Sequence, residues 1–77
     1  MANRQKITSS ALAEILIAET SKSLGGDARF LAPHLKVRRR GREPNWGASI
    51  DIFGSAVITG AFQEARERTK ELYDLDD

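Results

Sequence analysis

The stretch Leu35-Lys36-Val37-Arg38-Arg39-Arg40-Gly41-Arg42-Glu43-Pro44-Asn45-Trp46-Gly47-Ala48-Ser49-Ile50-Asp51-Ile52 decides the fold. Its apolar residues recur at every second position on both sides of a glycine- and proline-bearing turn. Leu35 and Val37 point one way, and Lys36, Arg38 and Arg40 the other. After the turn, Trp46, Ala48, Ile50 and Ile52 alternate with Gly47, Ser49 and Asp51. Both halves read as half-buried antiparallel strands. Each must present its apolar set to the same face, since a slip of one residue would turn that set to water. This condition pairs Leu35 with Ile50, Val37 with Ala48 and Arg39 with Trp46, leaving Gly41 to Pro44 in the connection. On the opposite face it sets His34 against Asp51 and Lys36 against Ser49.

Upstream the period changes to that of a helix. Leu12, Ile15 and Leu16, flanked by Ala11 and Ala18, form an apolar stripe. Thr8 is the expected N-cap, Ile7 and Leu12 the expected hydrophobic staple, and Gly25-Gly26 the stop, which gives a helix from Thr8 to Leu24. In the connector from Asp27 to Pro33, Phe30 and Leu31 are too apolar to leave in water and are expected to fold back onto the core. Downstream a second helix is expected from Ser55 to Tyr73, with Ile58, Ala61, Phe62, Ala65, Thr69 and Leu72 on one face. On its solvent face Glu64 and Arg68 are spaced for an i,i+4 pair. The β-branched run at 56–59 leaves a third strand open as the alternative, with the helix then starting near Gly60. Residues 1–6 and 75–77 read as frayed ends. The expected fold is α+β, a single two-layer α-β-β-α domain over residues 1–77.

So short a chain buries a small fraction of its surface, and a lone pair of strands is marginal. Disulfides are excluded, because there is no cysteine, and one histidine without a ligand-spaced cluster gives no metal site. No cofactor is expected. A second copy is the remaining stabiliser, so a homodimer is expected, with the hairpins or the helices joining about a two-fold axis and Leu31, Phe53 and Tyr73 outside a single subunit's core. No apolar run follows the early charges, so neither a signal peptide nor a membrane span is expected, and a cytoplasmic location follows by default.

A formal net charge of only +1 hides strong segregation. Between Arg29 and Arg42 lie six Lys or Arg residues and no acid, whereas from Glu64 to Asp77 six acids face three bases. The basic run makes Lys36, Arg38, Arg40 and Arg42 the candidate anion-binding residues, able to engage a nucleic-acid backbone or another polyanion together without reading sequence. The plainer alternative is a sheet edge charged against aggregation, or a partner for the acidic C-terminal end. Trp46 could stack on a base, but its place on the apolar face favours a core residue, with Arg39 as a cation–π lid. His34 opposite Asp51 could be a general-base pair, yet no nucleophile or oxyanion donor stands beside it. The serines and threonines likewise lack a neighbouring base, and Gly25-Gly26-Asp27 lacks phosphate-loop spacing. The resulting expectation is a small non-catalytic interaction or regulatory protein acting as a homodimer. An anion-binding module is the alternative, and an enzyme using His34 and Asp51 a distant third.

Asn45-Trp46 opening the second strand, Ala61-Phe62 early in the final helix and Glu71-Leu72-Tyr73-Asp74-Leu75 at its end resemble small uncharacterised proteins of alphaproteobacteria. The resemblance covers the C-terminal half. It implies a helix–strand–strand–helix plan and supplies no activity and no catalytic residue.

Overall fold

The computed structural model describes residues 4–41, 44–51 and 54–76. Its elements run β1 (Gln5–Ile7), α1 (Ser9–Leu24), a 3₁₀ turn (Arg29–His34), β2 (Leu35–Arg39), β3 (Trp46–Ile50), α2 (Ala56–Lys70) and β4 (Tyr73–Leu75). The class is α+β, with the antiparallel hairpin β2–β3 and a second, parallel pair β1–β4 that joins the two ends of the described chain.

The hairpin has the register required by its alternation: Leu35 lies against Ile50, Val37 against Ala48 and Arg39 against Trp46. The Asp51 amide donates to the His34 carbonyl at 2.9 Å, and the Arg40 amide to the Asn45 carbonyl at 2.8 Å. Even-numbered residues of β2 therefore turn their backbone groups toward β3, and odd-numbered ones turn theirs away.

Helix α1 starts where expected, the Thr8 hydroxyl accepting from the Ala11 amide at 3.1 Å. It ends at Gly25, whose φ of 78° is the left-handed conformation glycine adopts without a Cβ clash. Helix α2 takes Ser55 as N-cap, its hydroxyl accepting from the Ile58 amide at 3.2 Å. Residues 56–59 are thus helix, which removes the third-strand alternative. The helix stops at Lys70 instead of reaching Tyr73. Arg4 Nε donates to the Lys70 carbonyl at 2.7 Å, a cation at the negative end of the helix, and the Gln5 amide takes the Leu72 carbonyl at 2.9 Å. Competition from β1 turns the following residues into β4.

The core joins Leu12 and Leu16 of α1, Trp46 and Ala48 of β3, Phe62 of α2 and Leu75 of β4, with Ile7, Leu35, Val37, Ile50 and Tyr73 packed at its margin. Thr20 and Thr69 are fully buried, each hydroxyl returning to the carbonyl four residues earlier, Leu16 at 2.6 Å and Ala65 at 2.7 Å, so neither is left unsatisfied. Arg66 reaches from α2 to the Ala48 carbonyl at 3.0 Å with its guanidinium carbon 5.8 Å from the Phe62 ring centre. Its Nε is buried without a partner, a local cost of tying helix to hairpin.

Besides the end of α2, other expectations change. Gln5, Lys6 and Leu75 are not frayed but lie in β1 and β4, paired Gln5 with Tyr73, Lys6 with Asp74 and Ile7 with Leu75. Phe30 stays half exposed while its neighbour Leu31 is buried, because the 3₁₀ turn directs consecutive side chains to different sides. Leu31 therefore belongs to the single chain's own interior, Tyr73 packs at the margin of the core, and Phe53 lies outside the described residues. Arg68 pairs not with Glu64 but with Glu19 of α1, at 3.0 Å, and also donates to the Ser23 hydroxyl and the Glu19 carbonyl, because α1 lies alongside and offers three acceptors together.

Candidate anion-binding site

The outer face of the hairpin is set by β2. Lys36 stands across from Ser49 and Arg38 across from Gly47, so their cross-strand neighbours carry no charge. A Cβ on Gly47 would come within 3.3 Å of Arg40 Cδ, showing that the Arg40 stem lies over the bare backbone there. Arg38, Arg39, Arg40, Gly47, Ala48 and Ser49 line a shallow open depression of about 290 Å³. Lys36, Arg38 and Arg39 are exposed and Arg40 is half-buried. Arg42 lies outside the described residues.

Among the described residues, Lys36, Arg38, Arg39 and Arg40 form no ion pair. Among the described residues, the ion pairs are Lys22–Glu19, Arg29–Asp27, Arg68–Glu19 and Lys70–Glu67, and none involves the hairpin. The Lys22 and Arg68 hydrogen bonds hold the Glu19 carboxyl below the usual carboxylate range, and the Arg29 guanidinium does the same for Asp27. Glu19, Asp27 and Glu67 are thus engaged by basic neighbours outside the hairpin, and Lys36, Arg38 and Arg39 are exposed to solvent.

Trp46 is unavailable for base stacking. Its side chain is completely buried and its Nε1 donates to the Tyr73 carbonyl at 2.9 Å. Arg39 does not cap it, and the cation–π contact recorded among the described residues is Arg66 over Phe62. His34 and Asp51 are both exposed and joined through backbone atoms, with no hydrogen bond between imidazole and carboxylate among those formed by the described residues. Among the described residues there is also no cluster of His, Asp and Glu that could hold a metal ion, and no helix is long and apolar enough to cross a membrane.

A polar clamp beside the turn escaped sequence reasoning. The Asn45 side chain acts as one rung of a strand toward Leu75: its Nδ2 donates to the Leu75 carbonyl at 2.9 Å and its Oδ1 accepts from the Leu75 amide at 2.6 Å. The Asn45 backbone amide donates to Asp74 Oδ1 at 3.3 Å. Asn45-Trp46 and Tyr73-Asp74-Leu75, singled out separately in the sequence, therefore form one unit that locks β4 against the hairpin. Among the described residues Asp74 meets the turn through this contact, with no ion pair to an arginine. No local spacing announces the clamp, since its halves lie far apart in the chain.

Comparison with known proteins found no matching family model, no matching curated protein and no matching solved structure.

Proposed function

We propose that this chain is a small non-catalytic interaction module that engages an anionic partner through the outer face of its hairpin. One observation carries the reading: Lys36, Arg38 and Arg40 share one face of the sheet, and neither they nor Arg39 form an ion pair with any described residue. Exposed cations held by a strand present fixed spacing to a polyanion, whereas cations committed to their own acids do not. Arg42, next along the chain, extends the same run.

Retention on heparin and on a labelled duplex oligonucleotide, followed across salt concentration, tests this. With three cations meeting three phosphates, log K against log salt should fall with a slope of about −2.7. The triple variant Lys36→Glu, Arg38→Glu, Arg40→Glu should lose retention while keeping the wild-type circular dichroism spectrum. Absence of retention by the folded wild type at low salt would remove the proposal.

A homodimer is the second reading. Among the described residues, Phe30, Val57 and Leu72 are the large apolar side chains left exposed, and a self-interface would cover them. Sedimentation equilibrium at micromolar concentration separates the two.

A further inference from the structure

The two edges of the hairpin are not equivalent. On β3, whose outward-turned residues are Trp46, Ala48 and Ile50, Arg66 occupies the carbonyl of Ala48. On β2, the residues whose backbone groups turn away from β3 are Leu35, Val37 and Arg39. The Leu35 amide is satisfied by the Ala32 carbonyl, which closes the 3₁₀ turn. Among the described residues, no strand pairs with the remaining outward groups, the Leu35 carbonyl and the amides and carbonyls of Val37 and Arg39. An open edge of this kind templates another strand unless its flanking charges repel the newcomer.

Those charges select the newcomer. If β2 of a second copy paired antiparallel about Val37, Lys36 would stand across from Arg38 of the other chain, twice over. Registers centred on Lys36 or Arg38 would set like charges directly opposite each other, which is destabilising. The edge thus rejects its own copy and favours a strand of opposite charge.

We infer that the open edge of β2 accepts an extended acidic segment of a partner protein as a third antiparallel strand. This rests on the anion-binding reading of the hairpin and names the partner's class. The partner's residues opposite Val37 and Arg39 exchange backbone hydrogen bonds with them, and an apolar side chain there meets half-buried Val37. Its alternate residues, opposite Lys36, Arg38 and Arg40, fall in the non-hydrogen-bonded pairs where cross-strand side chains come closest, so acids at these positions meet all three cations. The recognised pattern is acid–apolar–acid in extended conformation.

The test uses the full chain and three probes: a short blocked peptide of alternating Glu and Val, the same peptide N-methylated at every Val, and a duplex oligonucleotide. Methylation keeps the charge but removes the amides that would face β2. The unmodified peptide should bind about tenfold or more tighter than the methylated one, the loss of roughly two net backbone hydrogen bonds. Amide exchange at Val37 and Arg39 should slow on binding. Val37→Pro removes an edge donor without touching the β2–β3 ladder and should cause a similar loss. Should that variant fail to fold, the methylated peptide still decides. Equal binding of both peptides, or binding of the oligonucleotide alone, would overturn strand addition and leave the anion-binding reading standing. Binding of none of the three would overturn both.

Discussion

Replacing Asn45 with alanine should release β4 from the hairpin. The substitution deletes the two bonds of the side-chain amide to Leu75, at 2.9 and 2.6 Å, and leaves the amide and carbonyl of Leu75 without these partners beside a side chain that is only 5 % exposed. A net hydrogen bond is worth about 0.5–1.5 kcal/mol, and a buried group left unsatisfied costs about 1–3 kcal/mol. Part of that cost is recovered by water entering beside the half-buried turn. The expected loss is therefore about 2–4 kcal/mol, or roughly 8–30 °C in melting temperature for a domain this small. Urea denaturation followed in parallel by far-ultraviolet circular dichroism and by emission from Trp46 measures it, since the indole donates to β4 through Tyr73. Asn45→Asp sharpens the test. A carboxylate still accepts from the Leu75 amide but faces the Leu75 carbonyl and lies near Asp74, so this variant should be less stable at neutral pH than in mild acid relative to wild type. A loss below about 0.5 kcal/mol for Asn45→Ala, with unchanged tryptophan emission, would refute the clamp, because surface substitutions fall in that range.

Two further outcomes follow from the helix pair. Glu19→Gln should lower stability at pH 7 by about 0.2–1 kcal/mol, as expected for a partly exposed ion pair. Because the folded-state pKa of Glu19 is held below its ordinary value, chiefly by the hydrogen bonds from Lys22 and Arg68, its contribution is present above the ordinary value and is lost as pH falls through the depressed one, so variant and wild-type denaturation midpoints should converge in acid. Leu16→Ala, at a completely buried position between the helices and the hairpin, should cost about 2–5 kcal/mol in chemical denaturation, and a smaller loss would mean the core collapses around the gap.

The hairpin was legible because alternation excludes every odd slip of register, and the short turn at 41–44 selects, among the pairings left, the one that sets Leu35 against Ile50 and Val37 against Ala48. The caps at Thr8, Gly25 and Ser55 were equally local, each needing a residue type within a few positions of its partner. What the chain did not announce is non-local. Gln5–Ile7 is too short for a period to show, and Leu72, placed on the apolar helix face by spacing, is more than half exposed because β1 ends the helix before it. Arg68 chose an acceptor cluster on α1 that no i,i+4 rule can see. Within the candidate site, the shared face of Lys36, Arg38 and Arg40 followed from alternation alone. The lack of ion pairs to it among the described residues, the Arg66 bond to the outer edge of β3 and the Asn45 clamp required the tertiary arrangement.

The pairing of β1 with β4 also has a temporal side. During synthesis Gln5–Ile7 is made before its partner Tyr73–Leu75 and must wait for it. Until then the Asn45 amide and the Trp46 indole nitrogen have no partners to dock on, and Leu12 and Leu16 lack one wall of their enclosure. A nascent chain stalled before Tyr73 should consequently be protease-sensitive throughout, with resistance appearing in a single step once the closing strand is free to fold back.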